Sequence, residues 1–369
     1  MSGTRVQSTD RTAESREPEA PSTGIEDRIE VEQPRPHGSK LTSIQACRGI
    51  AALLVVLYHT NMVFSEPRYW NSKPFGTVFD FGYAGVEFFF VLSGFIILHV
   101  HWSDLSRPRR VSRYLWKRFR RIYPIYWVVL FAIVPVFLLV HWGYEFQRNP
   151  MVILSSAMLV PLRNQDTCLP VAWTLYHEVL FYVVFAVSIL NVRAGSLLLC
   201  VWLAGSILYP DLFVTSPYHL FFGMGAGCAL ILRYQKIRLR ALVAALGICL
   251  FAGAGWLDLH TGDSFLLREK LLIEFLYGAG SSLAILGLVE LERSAALKAG
   301  GLMLLLGDAS YAIYLIHDPV LAMLGKIFAA AGLLQLPAQL SFIVFVGCAT
   351  AAGVALHLWI ERPLLRYLE

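Results

Sequence analysis

The chain has 369 residues, 56% of them hydrophobic and 15% charged, with a mean hydropathy of +0.57. This is too apolar for a soluble globule and excludes a soluble multidomain enzyme, because runs of about 20 apolar residues, enough to cross a bilayer, recur from position 43 onward. The 31 Lys and Arg against 26 Asp and Glu leave a formal charge of +5. These cations cluster in short loops between apolar runs, so they speak for membrane topology and not for a nucleic-acid partner.

Residues 1–40 are rich in Ser, Thr, Pro, Glu and Arg with only isolated apolar side chains, the composition of a disordered tail. The tail lacks the basic start, apolar run and cleavage site of a signal peptide, so it is expected to stay attached and cytoplasmic. It is a candidate docking segment, although nothing in it specifies a partner.

After the tail, apolar length predicts an all-α polytopic membrane protein of about ten spans, at 44–64, 82–101, 122–140, 172–191, 194–209, 216–233, 240–257, 270–290, 308–330 and 338–360. The 151–161 stretch is apolar but too short to cross, and is read as re-entrant or interfacial. An even number of spans puts both termini on one side. The loop after the second span carries eight cations (Arg107, Arg109, Arg110, Arg113, Lys117, Arg118, Arg120 and Arg121), against Arg68 and Lys73 in the loop before it. The positive-inside rule therefore places both termini in the cytoplasm, in an inner membrane. Of six cysteines, only Cys168 lies in a loop, so no disulfide framework follows. No CxxC, HExxH or Walker loop is present, so no metal site is expected.

An ionisable group in a span costs about 2.5–3.5 kcal/mol on insertion scales, which makes each one a functional candidate. In the first span Arg48 and His59 lie eleven residues apart, about three turns and 16 Å, and so share a face with Ala51, Ala52 and Val55 between them. These small residues suit a narrow passage, or equally the packing of a neighbouring helix, with Arg48 and His59 snorkelling to opposite surfaces. The second span carries Glu87 and then Ser93 and Gly94, where the glycine suits close helix approach. In the fourth span Thr174, Glu178 and Tyr182 fall at i, i+4 and i+8 on one face, with His177 turned toward the interface beside Trp173. The ninth aligns Ser310, Tyr314 and His317, with Asp318 and a kinking Pro319 next to them. Arg118 and Arg121, one turn apart at the mouth of the third span, are spaced to grip phosphates together, with Pro124 opening the helix behind them.

The runs ACRGIAALLVVLYH, GYAGVEFFFVLSGFII, KRFRRIYPIYW, WTLYHEVLFY, SYAIYLIHDPV and IERPL, in that order over about residues 41–365, resemble the successive signatures of the acyltransferase-3 family of integral-membrane O-acyltransferases. The opening run is similar to the exopolysaccharide acetyltransferases of that family. The resemblance implies about ten helices and transfer of an acyl group, commonly acetyl from acetyl-CoA, to a hydroxyl of a cell-surface glycan or lipid-linked sugar. Acyl-CoA would be a co-substrate, with no permanently bound cofactor, and polysaccharide-synthesis machinery is the partner class that the resemblance implies for the tail. By the same resemblance His59 is the essential histidine, Arg48 its partner, Arg118 and Arg121 the Arg-x-x-Arg pair, and Glu178 the carboxylate; Arg118 and Arg121 would bind the CoA phosphates. The sequence departs in having Thr174 where Ser is usual, and it shows no SGNH hydrolase-like domain, which leaves the acceptor open. His59 suits the base that takes the hydroxyl proton; Glu178 would orient it or hold the acceptor. Direct transfer and an acyl-His59 relay both remain open. The alternative reading is a carrier or flippase for a lipid-linked sugar or organic acid, using the same buried ionisable groups as its path.

Overall fold

A computed structural model describes residues 41–140, 143–162, 166–261, 267–295 and 300–369, so the expected tail at 1–40 lies outside the described residues. These residues fall within one unit, Lys40–Glu369, and among them there are helices and no strand. Eight helices of the described set are long and apolar enough to cross a membrane.

The first, α1 (Thr42–Ser65), is fixed at its N-terminus by a carboxylate from α9 (Leu267–Arg293): the backbone N–H and hydroxyl of Thr42 and of Ser43 all donate to Glu292, at 2.5–2.9 Å. Four unpaired N–H groups and a positive dipole end make that position favourable for a carboxylate. A loop then leads to α2 (Gly85–His101), and a basic stretch to α3 (Val111–Leu139). The helix α3 starts eleven residues earlier than the apolar run at 122, because Arg, Lys and Trp favour or tolerate helix as well as apolar residues do. Pro124 thus lies inside a continuous helix instead of opening one.

The apolar 151–161 stretch forms α4 (Pro150–Met158), whose last turn is held by α3: Tyr126 donates to Ser156 O (2.8 Å), Trp127 to Ala157 O (2.8 Å) and Tyr123 to Met158 O (3.0 Å). These donors lie some 20 Å back along α3 from its C-terminus, so the segment turns back along the middle of α3. It is followed by α5 (Trp173–Leu190), α6 (Val192–Leu208) and α7 (Tyr218–Tyr234). The two expected spans at 194–209 and 216–233 appear as α6 and α7, each 17 residues long and bent by 108° from one another across their short connection. They are a broken pair beside the eight full-length helices. The chain continues through α8 (Arg240–Thr261), α9, the short α10 (Gly301–Asp308), α11 (Ser310–Ala330) and α12 (Ala338–Leu356), then a π-turn at His357–Glu361 and α13 (Arg362–Tyr367). All six cysteines are free.

Two larger apolar cores, and a small third one around Ala84, Ala254, Ile273 and Tyr277, hold the bundle. One joins α2, α3, α5 and α7 through side chains such as Phe95, Tyr126, Phe181 and Phe222; the other joins α1, α11 and α12 through Val56, Phe64, Ile313 and Phe345. In the first core, α2 and α7 meet backbone to backbone. A Cβ on Gly94 would stand 2.0 Å from Phe222 O, and one on Gly225 would stand 1.8 Å from Val91 O. Gly94 is therefore a packing glycine, as its sequence context suggested. Gly225→Val is expected to lower the unfolding midpoint of the detergent-purified protein by an overpacking cost of about 1–3 kcal/mol. Gly227→Ala, whose Cβ would meet nothing within 4 Å, should leave it unchanged or slightly higher, and scanning fluorimetry of the two variants reads the difference.

Candidate active site

Within the first core lies a cavity of about 460 Å³ whose walls come from α1, α2, α3, α5 and α11, with Leu365 and Glu369 at its mouth. Arg48 reaches it from α1. Ser93 lines it from α2, Thr174, Glu178 and Tyr182 from α5, and Ser310, Tyr311 and Tyr314 from α11. Lys117, Arg118, Arg120 and Arg121 of α3 surround the mouth. The i, i+4, i+8 face of α5 thus faces the cavity as a unit.

Each cation is held differently. Arg121 donates to Glu361 Oε1 at 2.8 Å, and the other oxygen of that carboxylate meets His357 Nδ1 at 2.7 Å. Glu361 is 1% exposed, and the π-turn that presents both His357 and Glu361 aligns them at i and i+4. Arg121 also lies 5.5 Å from the Tyr311 ring. Arg118 is sandwiched between Tyr114 and Tyr182, at 5.9 and 5.6 Å from their ring centres, and one of its nitrogens approaches His101 Nε2 at 3.4 Å. Its Nε is buried with no hydrogen-bond partner. Arg48 donates to Gln45, which in turn donates to Asp308 at 3.1 Å. Inside the cavity, Glu178 accepts from Ser93 Oγ at 3.3 Å and from Tyr182 OH. Tyr314 OH joins Thr174 Oγ1 at 3.0 Å. Ser310 Oγ is buried and unpaired among the described residues. The cavity therefore offers cations at its mouth and hydroxyls with one carboxylate further in, which suits a long anionic ligand entering by its uncharged end.

His59 does not line this cavity, nor do Glu87 and His317. Glu87 is buried elsewhere on α2. His59 meets His317: its Nδ1 lies 2.9 Å from Val55 O and 3.3 Å from His317 Nε2. Because His317 Nδ1 faces the carbonyls of Tyr314 (2.6 Å) and Ile313 (3.3 Å), that nitrogen carries the proton and Nε2 accepts. The same logic puts a proton on His59 Nδ1 and leaves its Nε2 with a free lone pair, the form a general base needs. Val55 O and His317 hold the His59 ring, whereas Glu178 bonds to Ser93 and Tyr182 inside the cavity. The histidine pair and the cavity are joined through Tyr314, whose ring lines the cavity and whose carbonyl holds His317.

The small residues of α1 do not form a passage. Ala51, Ala52 and Val55 are buried in helix packing, and a Cβ on Gly85 of α2 would stand 2.5 Å from Ala51 O. His177 is likewise internal: it meets His219 at 3.0 Å in a nest of aromatic rings and is 4% exposed. Sequence reasoning assigned no role to Glu361, His357 or His101. Glu361 sits just past the last apolar run, where a charge reads as an ordinary helix end, and its available signal was its place in the IERPL signature; His357 falls near the end of that run.

The sequence model of the acyltransferase domain of the acyltransferase-3 type matches residues 41–362. The chain belongs to the acyltransferase-3 family. It is 32% identical over 312 residues to the exopolysaccharide production protein ExoZ of Rhizobium meliloti, covering 79% of this chain and 92% of that one. It is 25% identical over 329 residues to the peptidoglycan O-acetyltransferase OatA of Listeria monocytogenes, covering 76% of this chain and 49% of that longer protein. No solved structure matches it significantly. As a member of this family the chain is a multi-pass membrane O-acyltransferase.

Because Glu361 is buried between Arg121 and His357, Glu361→Ala should lower stability by the cost of breaking a buried pair, about 3–5 kcal/mol. Glu66→Ala removes the exposed partner of Arg68 and should cost about 0–1 kcal/mol. Unfolding midpoints in one detergent compare the two.

Proposed function

We propose that this enzyme transfers acetyl from acetyl-CoA to a hydroxyl of a cell-surface polysaccharide or its lipid-linked precursor, in the inner membrane. The observation that carries the reading is the cavity itself: cations at the mouth, hydroxyls and Glu178 inside, and a histidine with a free lone pair beyond its inner wall. The positive-inside rule assigns the cationic end, and with it both chain termini, to the cytoplasm, where acyl-CoA is. Relatives named for exopolysaccharide production and for peptidoglycan O-acetylation support a glycan acceptor.

In this reading Arg118 and Arg121 bind the diphosphate of the donor, bidentate groups on successive turns matching adjacent phosphates. The pantetheine arm enters between α2, α3 and α5, where Glu178 accepts from an amide N–H and offsets the charge of Arg48. The thioester passes Tyr314 to reach His59. There the acceptor hydroxyl oxygen bonds to the thioester carbonyl carbon while His59 Nε2 takes its proton. The C–S bond then breaks, and the leaving thiolate recovers that proton from the imidazolium. His317 Nε2, accepting from His59 Nδ1–H, stabilises the imidazolium while it lasts.

Membrane vesicles supplied with [¹⁴C]acetyl-CoA should incorporate label into glycan. His59→Ala should lower kcat by about 10²–10⁴-fold, the usual contribution of a general base, and Arg121→Ala should chiefly raise the donor KM. Counterflow of a lipid-linked sugar with no label in glycan would contradict the reading and favour a carrier.

A further inference from the structure

His59 is partly exposed, and the cationic cavity does not include it. A series of aromatic rings set edge to face leads from it: Tyr58 lies 5.0 Å from the His59 ring centre, Tyr83 5.7 Å from Tyr58, and Tyr277 6.0 Å from Tyr83. The series ends on a carboxylate. The hydroxyls of Tyr83 and Tyr277 both donate to Asp258 Oδ2, at 2.7 and 3.1 Å. Neither these three tyrosines nor Asp258 line the cationic cavity.

The arrangement is assembled from four elements. Tyr58 comes from α1, Asp258 from the last turn of α8, Tyr277 from α9, and Tyr83 from a short 3₁₀ turn, Asp80–Ala84, that precedes α2. That turn is clamped between two helices: a Cβ on Gly82 would stand 2.3 Å from Leu54 O of α1, and one on Gly255 of α8 would stand 2.9 Å from the Phe81 ring. Asp80 pins its start by accepting from Asn61 at 2.8 Å and from Lys73 at 2.6 Å. Asp258 lies about 27 Å along α8 from Arg240, and His59 about 16 Å along α1 from Arg48. Both therefore stand at the end of the bundle remote from the cations.

Polar contacts that only join helices are sequestered, as Tyr277 is at 0% exposure, whereas Tyr58, Tyr83 and Asp258 are partly exposed, as His59 is. A carboxylate accepts and does not donate, and the face of an aromatic ring carries negative charge that attracts polarised C–H groups. A surface of this kind suits a ligand with hydroxyl donors on its edge and C–H bonds on its face, which describes a sugar ring. Two substrates must meet at His59, and the donor arrives from the cationic end. Resting on the acyl-transfer reading above, we propose that Tyr58, Tyr83 and Asp258 form the acceptor subsite: a neutral sugar lies against the tyrosine rings, donates one hydroxyl to Asp258 and so presents another to His59 Nε2. Tyr83 and Tyr277 hold the carboxylate in place for this. A uronic acid at the same position would be repelled by Asp258.

The test is transfer of label from [¹⁴C]acetyl-CoA to chemically de-O-acetylated surface polysaccharide by the full-length enzyme in nanodiscs, with each substrate varied in turn. Asp258→Asn keeps the shape of the side chain and still accepts from the tyrosines. It should raise the KM for polysaccharide about tenfold, the loss of one charge-assisted hydrogen bond, and hold the KM for acetyl-CoA within about twofold of wild type. Tyr58→Ala should raise the polysaccharide KM in the same way, and Tyr58→Phe, which restores the ring, should recover most of that loss. An unchanged polysaccharide KM in both Asp258→Asn and Tyr58→Ala overturns the subsite and leaves the transfer reading intact. Equal rises in both KM values, or a lowered unfolding midpoint with neither KM changed, mark Asp258 as a helix-joining group and also overturn it. If Asp258→Asn does not fold, the comparison of Tyr58→Ala with Tyr58→Phe decides. No label in polysaccharide with wild type overturns the transfer reading itself.

Discussion

A guanidinium or carboxylate placed among apolar helices must be given partners, because the alternative is an uncompensated charge in a medium that solvates it poorly. In this bundle that requirement organises the cationic end. Arg121 is answered by Glu361, Glu361 by His357, Arg118 by two tyrosine faces and His101, and Arg48 by Gln45 and Asp308. These partners come from α1, α2, α3, α5, α10 and the C-terminal π-turn. Neutralising the site therefore also sets the positions of helices far apart in sequence.

The remaining geometry follows from how α1 and α11 run through the molecule. Arg48 and His59 occupy the same face of α1 at two depths, and α11 offers Ser310 and Tyr314 to the cavity before His317 meets His59. One pair of helices thus serves both a polar chamber and a histidine pair that lies beyond its inner wall. The separation has a chemical sense for acyl transfer. In the proposed mechanism the donor is recognised in the polar chamber, and the proton transfer uses a base whose lone pair is directed by a neighbour.

Much of this was legible in the sequence, and the reasons differ by feature. Apolar length located the eight long helices because hydrocarbon thickness leaves little choice. The α5 face of Thr174, Glu178 and Tyr182 was readable because helical periodicity alone decides it. The α6 and α7 pair was read as two spans since composition records apolar length and not the angle between helices. Ala51, Ala52 and Val55 were ambiguous for another reason: small residues serve a passage and a tight helix contact equally, and only the position of α2 settles that they are packed. The His59 and His317 contact joins residues 258 positions apart, and no local pattern announces such a pair. Glu361 was hidden by its place at a helix end, where a carboxylate ordinarily meets water.

The central claim is that the histidine pair and the cationic cavity are two parts of one acyl-transfer path. It is tested most directly by the base-labile O-acetyl content of surface polysaccharide, measured by proton NMR in a deletion strain complemented with wild type, His59→Ala or Arg118→Ala at matched membrane levels. The account predicts acetyl restored by wild type and absent or strongly reduced with either variant. Restoration by His59→Ala equal to wild type would contradict it.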